Sequence, residues 1–296
     1  MRRGTHISRE SSLFRQAWEH RAGFVSIKYS GAGAGGQSSR TGRIPFFVFP
    51  RLFSWKKHAF ALWKGMPSFI YITDIFCPWC FGFAPVMKKL AGEYGFPVRT
   101  LCGELVDEPT PTSKMGTPSL MAFFERLSST TGRELGSGFF DLLKPEHSVT
   151  MDSRRSAVLM SAMKRVAPGH ALEQMEAFQD VFYAEGRDVL DLSVQTGTAS
   201  RWGVEPAVLT EALSSEAILA KAEKELEEAE EILGDFVVYP SLFVKTDDGM
   251  LHAVARGYAP YADVKGKIEK ALNSSAGSDS TNVGVSGNAC GLDGCC

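Results

Sequence analysis

The chain has no apolar run of the roughly 18 residues that a membrane-spanning helix needs. Its most aromatic stretch, Ile44 to Trp63, is interrupted by Pro50, Arg51, Lys56 and Lys57. Neither a spanning helix nor the apolar core of a secretory signal is expected from it. Cysteine is scarce: six in 296 residues are too few for a scaffold stapled by disulfides. One Cys-x-x-Cys pair occurs, with no second pair and no two histidines at ligand spacing. A structural zinc site, which takes four ligands, is therefore incomplete. Acidic residues are nearly missing from the N-terminal part, where residues 1–66 carry twelve Lys/Arg against Glu10 and Glu19 alone. No internal repeat is visible.

That imbalance leaves the other 230 residues with 20 of the 32 basic and 32 of the 34 acidic side chains. An acidic body is a poor surface for nucleic acid, and none is expected as a partner. The basic segment is rich in Arg, Ser and Gly, with Gly31 to Gly36 as a flexible stretch. It reads either as an organelle transit peptide or as a disordered extension ahead of a start at Met66. The compartment expected is the cytoplasm, with organelle import through residues 1–65 as the alternative.

The apolar run Phe69-Ile70-Tyr71-Ile72 predicts a strand over 68–73. Phe83, Val86, Met87, Leu90 and Tyr94 then fall on one helical face, with Pro85 inside the helix and expected to kink it. Residues 97–105 read as a second strand, closing a strand–helix–strand unit. From about 107 to 234 the pattern is almost wholly helical: Leu120/Phe123/Phe124/Leu127, then Val158/Leu159/Ala162/Met163/Val166, then Leu172/Met175/Phe178/Phe182/Tyr183. A last helix over 216–233 carries Glu223, Glu225, Glu227, Glu228, Glu230 and Glu231, expected to form a solvated face, with Gly234 as its cap. Strands return at 241–245 and 251–255, joined at Asp248-Gly249, and an amphipathic helix through Leu272 follows. The layout is α/β, provided that the first and last thirds share one sheet.

Between the first strand and its helix stands Cys77-Pro78-Trp79-Cys80. Two thiols at this spacing suit electron exchange with another dithiol. The first is expected to be exposed at the helix N-terminus, where free backbone N–H groups and the helix dipole stabilise a thiolate. The second lies one turn on, within reach of a mixed disulfide on the first. Pro78 removes a backbone N–H near Cys77, and Trp79 brings no charge, so a moderate rather than extreme thiolate is expected. The rival use of these thiols is as metal ligands. Tyr239-Pro240 precedes the strand at 241. In a thioredoxin-type sheet a cis proline at this point lies beside the dithiol and its backbone pairs with an extended substrate. Cis bonds are scarce, at roughly 5–6% of X–Pro bonds, so a trans proline opening a strand stays open as the other reading.

These stretches resemble the DsbA family of thiol–disulfide oxidoreductases, in its FrnE-like branch. The resemblance rests on Ile72-Thr73-Asp74, on Cys77-Pro78-Trp79-Cys80-Phe81-Gly82-Phe83, on Pro85, on Phe182-Tyr183-Ala184-Glu185-Gly186-Arg187-Asp188, and on Tyr239-Pro240-Ser241. It spans about residues 67–273. It implies a thioredoxin-like domain from 67–106 and 235–273, an all-helical insertion at 107–234, and a flexible tail at 274–296. It implies Cys77 as nucleophile, Cys80 as resolving thiol, and Pro78, Trp79, Tyr239 and Pro240 around the substrate. No metal or organic cofactor is implied. The implied partners are proteins with disulfides or dithiols, or small thiols such as glutathione. Two sister families that use glutathione as transferases or isomerases usually have serine where Cys77 stands, which argues against that reading.

The tail ends in Cys290-Gly-Leu-Asp-Gly-Cys295-Cys296. Some FrnE-like proteins carry a similar Cys-x4-Cys, which implies Cys290 and Cys295 as an auxiliary dithiol. About 17 residues separate Cys290 from Asn273, and a flexible linker of that length spans about 20–25 Å, enough to meet Cys77. Capture of a soft metal and an idle tail are the rival readings. Cys102, in a core strand, reads as packing. Asp74, three residues before Cys77, reads as a loop aspartate in preference to a proton acceptor for Cys80, and Glu104 as a weaker candidate for that role.

Overall fold

A four-stranded sheet is assembled from the two ends of the folded region. The computed structural model describes residues 66–276. The basic segment 1–65, with its expected targeting role, and Cys290, Cys295 and Cys296 lie outside the described residues. Strand β1 (Ser68–Thr73) runs parallel to β2 (Val98–Cys102), and helix α1 (Pro78–Tyr94) makes the crossover that a parallel pair requires. Strand β5 (Ser241–Lys245) lies antiparallel on the other side of β1, and β6 (Leu251–Arg256) antiparallel beyond it, giving the order β2-β1-β5-β6. Because β1 and β5 oppose each other, Ile72 at the end of one faces Ser241 at the start of the other. The residues just after β1 and just before β5 are thereby forced together.

Alternation along the strands divides the core. Phe69, Tyr71, Leu242 and Val244 pack with Phe83, Met87 and Leu90 of α1 and with Val264 and Ile268 of the closing helix α9 (Tyr261–Ala276). Ile72, Leu101 and Phe243 face the other way, onto Ala229 and Leu233. Those two residues belong to α8 (Glu216–Leu233), the last helix of the insertion. The remaining helices are α2 (Pro118–Thr131), α3 (Ser137–Leu142), α4 (Ser153–Val166), α5 (Ala171–Tyr183), α6 (Leu192–Ala199) and α7 (Pro206–Leu213). They enclose a second core built on Phe124, Phe139, Leu159, Met163, Phe178 and Phe182. This is the expected thioredoxin-like fold carrying a large helical insertion.

The structure differs from the sequence reading at four points. The second strand stops at Cys102 rather than 105, because Gly103 donates its N–H to the Thr73 carbonyl (2.7 Å) and the chain turns. The insertion is not wholly helical. β3 (Thr110–Pro111) and β4 (Thr150–Met151) pair as a two-residue ribbon, too short to show a period in sequence. The acidic face of α8 is only partly solvated. Glu223 binds Arg154, Glu228 binds Arg99 of β2, and Glu225 holds Lys164 at 2.6 Å with both side chains about 14% exposed. The closing helix runs to Ala276, into the segment expected to be a mobile tail. Helix α1 continues through Pro85 as one element, with Pro85 on its exposed side.

The motif Phe182–Asp188 has a steric basis. Gly186 takes a left-handed φ of +66°, and a Cβ there would sit 1.9 Å from the Gly138 carbonyl carbon. The turn after α5 touches the start of α3 backbone to backbone. A Gly186→Ala substitution meets both the strained φ and the collision, and is expected to cost about 2–4 kcal/mol. Urea unfolding checks this through a lower midpoint at unchanged slope.

Candidate active site

Asp74 begins the loop that presents the thiols. One of its oxygens accepts the Phe76 N–H (2.7 Å) and the other the Leu105 N–H (3.0 Å), tying the end of β1 to the exit of β2. Burial pushes this carboxyl above the usual carboxylate range. These bonds fit the loop-aspartate reading. Ile75 and Phe76 turn into the helical core, where Phe76 meets Phe182 edge-on at 5.1 Å. The Tyr183 hydroxyl donates to the Phe76 carbonyl at 2.6 Å. Sheet and insertion thus hold the loop from opposite sides.

Cys77 is the N-cap of α1, with φ −91° and ψ 113°, and Pro78 occupies the first turn, where its missing N–H leaves no bond unmade. The Cys77 sulfur accepts the N–H of Cys80 at 3.3 Å. No acidic side chain stands in the first turn to offset the positive end of the helix. Across the sheet junction the same sulfur lies 3.7 Å from the Tyr239 carbonyl oxygen, to which its S–H donates. The Tyr239-Pro240 peptide is cis. The structure therefore brings Cys77, Cys80, Tyr239 and Pro240 together, across 162 residues of sequence between Cys77 and Tyr239.

Exposure departs from expectation. Cys77 retains only 3% of its surface and Cys80 none. The cap position gives the sulfur its N–H partner and sets it against the carbonyl of the 239 loop. Burial, and then Cys77 beside it, drive the Cys80 thiol well above its ordinary titration range, while Thr73 and the backbone of Asp74 pull the other way.

The bulk of Tyr239 is accommodated by Gly103. A Cβ on Gly103 would fall 2.1 Å from the Tyr239 ring, and the ring's hydroxyl accepts the N–H of Glu104 at 3.0 Å. Glu104 itself binds Arg154 through its carboxylate, which accounts for it without a role at the thiols. Trp79 is half-buried between Phe123 of α2 (centroids 5.7 Å apart, edge-on) and Tyr258 (5.6 Å). A cavity of about 230 Å3 lies behind the Tyr239 ring, lined by Glu104, Arg154, Glu223 and Glu230, and neither cysteine opens onto it. Among the described residues no group of three or more His, Cys, Asp or Glu is placed to hold a metal ion, and no helix is long and apolar enough to cross a membrane.

Sequence reasoning missed Tyr183 and Gln179 as hydrogen-bond partners of the segment that leads into the dithiol, the one at Phe76 and the other at Thr73 and Asp74. Gln179 left one trace. It sits four residues after Met175, a polar amide on an otherwise apolar helical face.

A dithiol capping a helix, beside a cis proline contributed by the opposing strand, defines a thioredoxin-type fold. Residues 70–233, more than half of the chain, match the family model of the DSBA-like thioredoxin domain, and the chain belongs to that family. Similar solved structures include a putative protein disulfide isomerase from Nitrosomonas europaea (21% identity, TM-score 0.58, covering 71% of this chain and 98% of that one). The cytosolic disulfide reductase DsbM from Pseudomonas aeruginosa is also similar (20% identity, TM-score 0.57, 70% and 98%), and has been solved with GSH as well. A third is a probable DsbA oxidoreductase from Streptomyces coelicolor (22% identity, TM-score 0.52, 78% and 98%). No curated protein matches the sequence.

Cys102 is 2% exposed, and burial raises its thiol to about 12. At pH 8 it is expected to resist iodoacetamide in the native protein and to react only after unfolding, as peptide mapping before and after denaturation will show.

Proposed function

We propose that this chain exchanges electrons with disulfides through Cys77 and Cys80. The observation that carries the reading is the Cys77 sulfur itself: it caps a helix, accepts the Cys80 N–H, and faces the carbonyl that precedes a cis proline. In the reducing direction the Cys77 thiolate attacks one sulfur of the substrate disulfide, and the other leaves with the bonding electron pair and takes up a proton. Cys80 then attacks Cys77, releasing the second substrate sulfur. Two thiols of the protein become one disulfide, and the substrate disulfide becomes two thiols. The same steps reversed oxidise a dithiol.

The cis Tyr239-Pro240 segment, with Pro78 and Trp79 on the other side of the sulfur, makes the substrate contact. The Trp79–Phe123–Tyr258 aromatics give it an apolar wall. Protein disulfides and small thiols are both accepted in this reading, and GSH bound to DsbM supports glutathione as the small thiol. A cytoplasmic site of action draws support from that relative's description as cytosolic.

Insulin reduction driven by dithiothreitol tests the proposal. Cys77→Ser should abolish the activity above background, and full retention would overturn the assignment. Cys80→Ser should trap a covalent adduct on Cys77 that the wild type does not accumulate. The pH dependence has a definite sign. Because the Cys80 thiol is raised, its reactive thiolate is the minor form near neutrality and grows about tenfold per pH unit. Resolution of the mixed disulfide should therefore accelerate steadily as pH rises, and stopped-flow quenching at several pH values measures it. A flat profile contradicts this.

A further inference from the structure

The cavity of about 230 Å3 beside the Tyr239 ring has a lining of mixed chemistry. Leu226 and Leu233 of α8, with Val237, make part of it apolar. Its charges are unbalanced: Glu104, Glu223, Glu227 and Glu230 stand against Arg154 alone. Arg154 shows what these carboxylates hold. Its guanidinium bridges Glu223 (3.0 Å to each oxygen) and Glu104 (3.1 Å). Glu227 and Glu230 follow Glu223 along the same face of α8. Among the described residues neither of them has a basic partner. Pockets for cofactors and drug-sized molecules run to about 300–1,000 Å3, so this one suits a single long side chain.

The segment that borders the cavity is open to an incoming chain. Phe236 is 63% exposed and Val237 55%. Arg256 pins the start of the segment by donating to the carbonyls of Leu233 (3.1 Å) and Phe236 (2.7 Å). The Ser241 hydroxyl pins its end by donating to the Val238 carbonyl (2.8 Å). Among the described residues no acceptor meets the N–H groups of Val237, Val238 and Tyr239. A backbone held in shape with open donors is one to which an extended peptide can add. Main-chain bonds then give affinity, and pockets for its side chains give specificity. Tyr239 belongs to both features. Its carbonyl oxygen lies 3.7 Å from the Cys77 sulfur, and its ring lines the cavity.

Resting on the reading of the site given above, we propose that the cavity receives a lysine or arginine side chain of a protein substrate. The chain then acts preferentially on disulfides whose cysteine has a basic residue within two positions. The reach follows from geometry. A substrate cysteine at Cys77 lies beside the Tyr239 carbonyl, the cavity begins at the ring of that same residue, and two extended residues span about 7 Å. The cationic head meets Glu227 and Glu230 as Arg154 meets Glu104 and Glu223, while the aliphatic stem covers Leu233 and Val237. An acidic side chain is turned away, because four carboxylates and one guanidinium leave the lining at a net charge of −3 when all are ionised. The insertion, through α8, thereby selects substrates for thiols that lie on the sheet domain.

The test mixes reduced full-length protein, freed of reductant, with short peptide disulfides that differ at one position. The residue one or two places from the cysteine, on either side, is Lys, Arg, Leu or Glu. Acid quenching and peptide mapping follow closure of the Cys77–Cys80 bond, with oxidised glutathione as a substrate that has no basic side chain. At one or more positions the Lys and Arg peptides should react about 3- to 10-fold faster than the Leu peptide, and the Glu peptide more slowly, with the differences shrinking in high salt. Glu227→Gln with Glu230→Gln should bring the Lys-to-Leu ratio close to one. Glu227→Lys with Glu230→Lys should reverse the preference in favour of the Glu peptide. Glu216→Gln with Glu231→Gln makes the same change of net charge on α8 outside the cavity and should keep the wild-type ratio. All four glutamates are exposed, so the substitutions leave the packing intact. Equal rates for the Lys, Leu and Glu peptides at every position, with oxidised glutathione still closing the bond, overturn the inference alone. A ratio that falls as far in the second Gln pair as in the first assigns the preference to bulk charge and overturns the role of the cavity. Wild-type protein that closes no Cys77–Cys80 bond with any substrate overturns the reading of the site and this inference with it.

Discussion

The antiparallel pairing of β1 with β5 is the constraint on which the rest depends. It sets Ile72 against Ser241, so the chain leaving β1 and the chain entering β5 emerge at one point. The Cys77 sulfur stands there, 3.7 Å from the Tyr239 carbonyl. Slipping the register by one residue would turn Phe69 and Tyr71 away from α1 and α9 and onto the face that Ile72, Leu101 and Phe243 already fill against α8. The same apolar alternation that stabilises the sheet therefore fixes the distance between a thiol and the loop that carries the cis proline.

The helical insertion does more than enlarge the molecule. Phe76 and Phe81 flank the dithiol in sequence and are both sunk into the insertion's core. Burying an aromatic ring of this size contributes about 1.5–3 kcal/mol. Phe81 also packs against Tyr183 and lies under the Arg133 guanidinium at 3.9 Å. Hydrogen bonds from Tyr183 to Phe76 and from Gln179 to Asp74 add direction to that packing. A loop held on one side by strand pairing and on the other by a helix has its sulfur fixed in one geometry by the fold itself. The cost is access, since Cys77 is left with 3% of its surface.

What the sequence made legible was local. The strand over 68–73, the helix after Cys77, the helix over 216–233 and the paired thiols each follow from short-range pattern, and the structure has them at those positions. The cis state of Tyr239-Pro240 was an open choice in sequence, because nothing in neighbouring residues distinguishes the isomers. The shallow exposure of Cys77 was not legible either: it depends on a loop 162 residues away folding over the cap. The partnership of Thr73 with Gln179 spans 106 residues, and a lone amide on an apolar helix face does not say which hydroxyl it will meet. The glutamates of α8 misled for a related reason. A helix wheel shows which residues share a face, not that Lys164 and Arg99 will stand opposite it.

The central claim is that Cys77 and Cys80 act as one couple. Equilibrating the protein in glutathione buffers of graded potential, then mapping its disulfides by mass spectrometry at each step, tests it directly. The account predicts one two-electron transition in which a Cys77–Cys80 bond replaces both free thiols. A stable glutathione adduct on Cys77, or a bond joining either sulfur to a different cysteine in place of its neighbour, would contradict it.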